Sequence, residues 1–234
     1  MHRFLRSAPY SARSDFRIGV VLALAVICSA ITLSVRGDPE QWRAEIDQLT
    51  AQDAQRPAPT GAVVFVGSSS IRMWATLAED FPGVTVINRG FGGSQLEDSV
   101  FYFDRLVAPY RPRLVVLYAG DNDIASGKTA EDVLADFLAF REKVRALGTD
   151  TRLVYLSIKE SPARAHLREE MRRANALVAE ACAQDRLCAF ADVSAVLQDE
   201  RGEFRADLFE QDGLHVNRAG YAAWADVIRE KVAP

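Results

Sequence analysis

Histidine and cysteine are both scarce, three of each in 234 residues, and no spacing among them is that of a metal site. Positive charge is scarce where a nucleic-acid binder would need it. Residues 1–36 hold five arginines and one aspartate, a charge of +4, so residues 37–234 carry −8 within the overall −4. An acidic body lacks the basic patches that displace counterions from phosphate backbones, which argues against nucleic acid as a partner. Internal repeats and low-complexity tracts are also lacking. One stretch lacks charge altogether, from Ile18 to Val35, bracketed by Arg17 and Arg36.

That uncharged run is 18 residues long; at about 1.5 Å per residue a helix would reach roughly 27 Å, close to the hydrocarbon thickness of a bilayer. Arg3, Arg6, Arg13 and Arg17 precede it against a single Asp15, so the positive-inside rule puts residues 1–17 in the cytoplasm and sends the body across the membrane. Residues 18–35 therefore read as an N-terminal hydrophobic helix, either an uncleaved transmembrane anchor or a signal sequence. A cleaved leader would leave the body secreted. Cys28 lies inside this run. Cys182 and Cys188, six residues apart, form a disulfide if the body is extracytoplasmic, or remain two buried thiols.

Asp38 before Pro39 is a helix start, a capping side chain followed by a residue whose missing N–H costs nothing there. Trp42, Ile46 and Leu49 recur at helical spacing, so residues 37–59 read as a short helix, laid by its apolar edge on the body, and a proline-bearing linker. From residue 60 to 234 apolar runs alternate with helical patterns. Strands are expected over 62–66, 84–88, 114–119, 153–157 and 187–191, and helices over 96–106, 130–147, 163–183 and 219–232. Alternation with near-continuous apolar strands implies one α/β domain with a five-stranded parallel sheet covered on both faces.

In such a sheet functional groups gather beyond the carboxyl ends of the strands. Gly67-Ser68-Ser69-Ser70 follows the first strand, Asn88 through Ser94 with three glycines the second, and Gly120-Asp121-Asn122-Asp123 the third. Asp212-Gly213-Leu214-His215 precedes the last helix. His2 lies in the arginine-rich leader and His166 in a charged stretch, which leaves His215 as the candidate general base near neutral pH. Asp212, three residues upstream, is placed to hold one ring nitrogen. A serine from the first loop supplies a nucleophile once a base takes its proton. A glycine N–H from the second loop and the Asn122 amide can face an oxyanion. Bland roles go to other conspicuous residues: packing or ion pairing for Arg72, Trp74 and Arg89, and core for Tyr221 and Trp224.

These four segments, in this order, resemble the SGNH or GDSL family of serine esterases and lipases. The resemblance covers residues 61–232 and implies a three-layer α/β/α flavodoxin-like fold. It makes Ser69 the nucleophile, Asp212 and His215 its partners, and Ser69, Gly93 and Asn122 the oxyanion donors. It requires no metal or organic cofactor. The family's first block reads Gly-Asp-Ser, whereas here Ser68 replaces the aspartate. That change bears on the loop's hydrogen bonding and leaves Ser68 and Ser70 as rival nucleophiles, with Ser69 favoured by register. The Gly-x-Ser-x-Gly signature fails at Ile71.

The expected activity is hydrolysis of a carboxylic ester, on a small molecule or an acylated glycan or lipid, by a membrane-anchored domain outside the cytoplasm. Two readings compete with it. One is a metal-dependent phosphoesterase built on Asp121, Asp123, Asp212 and His215. The other is a non-catalytic glycan- or lipid-binding protein, with Ser68 as the mark of a lost activity.

Overall fold

The computed structural model describes residues 38–55, 59–148 and 150–233. The leader and the apolar run 18–35 lie outside them. The first described residue is Asp38, whose carboxylate accepts from Glu40 N at 3.0 Å. A 3-10 turn Pro39–Trp42 then leads into helix α1, Arg43–Gln55. The expected apolar edge is the buried one: Ile46 is fully covered, and Trp42 and Leu49 pack beside it.

Five parallel strands follow: β1 Val63–Gly67, β2 Val86–Gly90, β3 Leu114–Tyr118, β4 Arg152–Leu156 and β5 Cys188–Ala191. They lie in the order β2-β1-β3-β4-β5, the flavodoxin-like arrangement, whose crevice opens where the order reverses, at β1 and β3. Successive side chains alternate between two cores, as a period of two demands. Val64, Val66, Val115 and Leu117 face one layer. It is built by α1, α4 (Leu96–Phe101), α5 (Phe103–Leu106), α7 (Ala130–Ala146) and α8 (Arg168–Ala183). Val63, Phe65, Leu114 and Val116 face the other, built by α2 (Ser69–Arg72), α3 (Leu77–Asp80) and α9 (Arg218–Val232). A short helix α6, Asp121–Ala125, caps the end of β3. Tyr221 and Trp224 of α9 are core residues as expected.

The strands and helices expected from residue 60 onward lie within one residue of their expected bounds, apart from three. The helix expected over 96–106 is two, broken at Tyr102, which lets the consecutive Tyr102 and Phe103 both be buried, one edge-on to Phe91 and the other to Phe140. β2 starts two residues late and runs through Arg89 and Gly90, which pair with Val66 and Gly67. The helix expected from 163 begins at Arg168, because Pro162–Leu167 forms a separate 3-10 segment whose backbone binds elsewhere. Cys182 and Cys188 are joined as a disulfide across the α8-to-β5 turn, with Cα atoms 4.9 Å apart.

Candidate active site

β1 ends in Gly67, whose φ of +137° and proximity to Tyr118 leave no space for a side chain: a Cβ there would lie 1.8 Å from the Tyr118 carbonyl oxygen. The chain turns at that point into α2, and Ser69 is its first residue. Ser68 N donates to Tyr118 O at 3.0 Å, and Ser68 O accepts from Ile71 N and Arg72 N. The main chain of Ser68 thus holds the turn. Its hydroxyl is buried without a hydrogen-bond partner, so the side chain that departs from the Gly-Asp-Ser pattern contributes nothing to the loop's bonding. Ser68 and Ser70 are each only 1% exposed, whereas Ser69 is half-buried and opens to the sheet edge.

Ser69 Oγ lies 3.0 Å from His215 Nε2, and His215 Nδ1 lies 2.6 Å from Asp212 Oδ2. The other oxygen, Asp212 Oδ1, accepts from the backbone N–H of Leu214 at 2.8 Å and of His215 at 2.9 Å. Burial pushes the Asp212 carboxyl up, but these bonds from His215 and Leu214 outweigh it and hold the group at about 2. An ionised carboxylate only accepts. The ring proton therefore sits on Nδ1, and Nε2 presents a lone pair to the serine hydroxyl. The loop carrying these residues is fixed by Glu210 N donating to His215 O and Asn217 N donating to Leu208 O.

The second and third loops meet beside this relay. Phe91 N donates to Gly67 O at 3.0 Å, which starts the glycine loop next to the Ser69 turn. Gly93 is exposed with φ +64°, and the Trp42 ring stands 3.3 Å from where its Cβ would be. Gly92 N donates to Glu45 Oε1 at 3.0 Å, so α1 grips this loop. Asn122 Nδ2 donates to Ser94 O at 2.9 Å, and Arg164 Nη2 donates to Asn122 Oδ1 at 2.9 Å.

The flanking acids are engaged elsewhere. Asp121 Oδ2 meets Lys159 Nζ at 2.7 Å and Arg164 Nη1 at 3.3 Å. Burial pushes its carboxyl up, but Lys159 and Arg164 prevail and lower it. Asp123 accepts twice from Leu96 N, at 3.0 and 3.1 Å, and lies 3.4 Å from Lys128; burial pushes it up to about 7 despite that cation. Asp121 and Asp123 are each paired with the protein's own cations, and among the described residues no group of three or more His, Cys, Asp or Glu is placed to hold a metal. The four-residue metal centre of the phosphoesterase reading is thus not assembled.

The bland assignments for other residues agree with the structure. His166 is exposed, and Arg89 pairs with Asp53 beneath Tyr110. Trp74 donates to Asp80 within the core, and Arg72 stands 3.8 Å from Glu45. Glu45, Ser94 and Arg164 were not singled out in the sequence. Each meets a backbone group or an amide, which leaves no motif, and Arg164 belongs to the charged stretch around His166.

A parallel sheet of this order, flavodoxin-like, thus gathers Ser69, Gly93, Asn122 and Asp212-x-x-His215 at its carboxyl edge. The model of the GDSL-like lipase/acylhydrolase family matches residues 60–223, and the chain belongs to that family. No curated protein matches it in sequence. Among solved structures, it resembles a Streptococcus pneumoniae protein described provisionally as a platelet activating factor. Identity is 20%, TM-score 0.73, and the match covers 83% of this chain and 96% of that one. It also resembles a GDSL-like lipase from Bacteroides thetaiotaomicron at 22% identity, TM-score 0.67, covering 81% and 97%. A variant of an acetyl xylan esterase from Geobacillus stearothermophilus matches at 15% identity, TM-score 0.58, covering 75% and 96%. Likenesses at these identities speak to the fold.

Proposed function

We propose that this hydrolase cleaves carboxylic esters by serine acyl transfer. The observation that carries the reading is the continuous relay from Ser69 Oγ through His215 to Asp212, at 3.0 and 2.6 Å. His215 Nε2 takes the Ser69 proton as Oγ attacks the ester carbonyl carbon. The carbonyl oxygen becomes an oxyanion, received by the backbone N–H of Ser69 and Gly93 and by the Asn122 amide. As the intermediate collapses, the C–O bond to the alcohol breaks and the leaving oxygen takes the proton from His215. Water, deprotonated in turn by His215, attacks the acyl-serine; the bond to Oγ then breaks, Ser69 recovers the proton from His215 and the acid is released. Asp212, ionised throughout, stabilises the imidazolium at each transfer.

The same relay counts against a retired, purely binding domain: the Ser68 replacement leaves the Ser69 geometry intact. The Cys182–Cys188 disulfide fits an oxidising compartment. With the apolar run 18–35 and its basic flank, it supports a catalytic domain outside the cytoplasm, tethered through that run or released by cleavage. Substrates in that setting are small esters, O-acetylated glycans or lysophospholipids.

Hydrolysis of p-nitrophenyl acetate, butyrate and octanoate by the chain and its Ser69→Ala variant tests the chemistry. Loss of at least about 1000-fold in kcat with Ser69 is expected, and the fall-off with acyl length separates acetyl esters from long-chain ones. Activity that survives Ser69→Ala would overturn the reading.

A further inference from the structure

Arg164 comes from the 3-10 segment after β4, outside the four sequence blocks, yet it reaches the amide proposed to receive the oxyanion. Its Nη2 donates to Asn122 Oδ1 at 2.9 Å, while Asn122 Nδ2 donates to the Ser94 carbonyl at 2.9 Å. A guanidinium can only donate and a carbonyl can only accept. The two partners therefore fix the amide in one orientation, oxygen toward Arg164 and nitrogen toward Ser94. An amide nitrogen carries two hydrogens, so one serves Ser94 and the other is left for a ligand. Rotated by half a turn, Asn122 would set its oxygen against the Ser94 oxygen and its NH2 against a cation.

Arg164 also brings charge. Its side chain is 18% exposed and its Nη1 lies 3.3 Å from Asp121 Oδ2. That carboxylate already has Lys159 at 2.7 Å, so two cations share one anion and a positive charge remains behind the Asn122 carbonyl. A cation on the oxygen of an amide draws electron density from its nitrogen and strengthens the N–H as a donor. The same segment touches the histidine loop through its backbone: Ala163 N donates to Gly213 O at 3.0 Å. That contact does not need the Arg164 side chain and survives its truncation.

We infer that Arg164 is a positioning residue of the ester-cleaving site, orienting and polarising the Asn122 amide toward the oxyanion. This rests on the hydrolase reading above. Its effect belongs to the transition state, so it falls on kcat and leaves KM nearly unchanged.

The test is a double-mutant cycle on p-nitrophenyl acetate with Arg164→Ala, Asn122→Ala and the pair, alongside Ser69→Ala and Arg164→Lys, with thermal unfolding recorded for each. Arg164→Ala is expected to lower kcat on the order of 10- to 100-fold, less than outright loss of an oxyanion donor. Arg164→Lys, which keeps the charge beside Asp121 and hence the packing, falls between it and the parent. In the Asn122→Ala background, Arg164→Ala adds less than about twofold, because the group it acts through is gone. Arg164 effects that multiply with those of Asn122→Ala would overturn the proposal, as would a kcat indifferent to both Arg164 variants. In those cases activity still disappears with Ser69, and the hydrolase reading stands. Activity that persists in Ser69→Ala removes both.

Discussion

Asp212 commits both carboxylate oxygens within four residues of chain, Oδ1 to the backbone of Leu214 and His215 and Oδ2 to the His215 ring. The spacing Asp-x-x-His is therefore more than a motif: it lets one side chain fold the turn and set the tautomer at once. The carboxyl is held at about 2, below its ordinary value of 3.8. A group lowered in the folded state stabilises the fold above the ordinary value and loses that contribution as pH falls through the lowered one. Asp212 thus stays ionised across the whole neutral and mildly acid range, and its protonation begins to matter only below about pH 4. Asp212→Asn replaces an acceptor-only group by one that can present an NH2 to the ring. The expected loss in kcat is about two to four orders of magnitude with KM little changed, read from steady-state hydrolysis at pH 7 to 8. A variant within twofold of the parent would show that the ring does not need this partner.

Among the elements, the Pro39–Trp42 turn together with α1 is part of the site rather than a connector. Glu45 accepts the Gly92 N–H, the Trp42 ring crowds Gly93, and Ile46 is buried in the core. Arg89 and Arg105 tie the helix further along, to Asp53 and Asp47. Glu45→Ala therefore leaves α1 docked while freeing the loop that carries the Gly93 N–H. A fall in kcat of roughly 10- to 100-fold is expected, the usual cost of a small misplacement in a site, with the melting temperature nearly unchanged. Unchanged kinetics would mean that the loop holds itself.

This element also shows what sequence can and cannot reveal. Its start at Asp38-Pro39 and its apolar edge at Trp42, Ile46 and Leu49 are legible because capping and periodicity are local. Its grip on Gly92 is not, because a carboxylate on a backbone N–H leaves no pattern in either segment. The four-residue helices α2 and α3 and the five-residue α6 are too short to display a period. The late start of α8 depends on Ala163 binding Gly213, fifty residues away in sequence.

Across the described domain, the strand order brings four distant loops to one edge, and α9 fastens the histidine loop to the serine turn. Ser69 and His215 are 146 residues apart, yet Tyr221 O–H donates to Ser70 O at 2.9 Å, and the Tyr221 ring stacks on Trp74. The helix that follows His215 is thereby fastened to the helix that begins with Ser69. The parallel sheet could be read in advance, and so could the loops that carry Asn122, Asp212, His215 and the three candidate serines, since each follows a strand or precedes a helix with a clear apolar pattern. Among Ser68, Ser69 and Ser70 the sequence favours Ser69 by register alone, because geometry within the turn depends on the φ of Gly67 and the packing against Tyr118. That choice carries the account. Labelling the folded chain with a fluorophosphonate and mapping the modified peptide by mass spectrometry decides it. One adduct is expected, on Ser69, and it is lost in His215→Ala; an adduct on Ser68 or Ser70, or none in folded protein, would overturn the assignment of Ser69 as nucleophile.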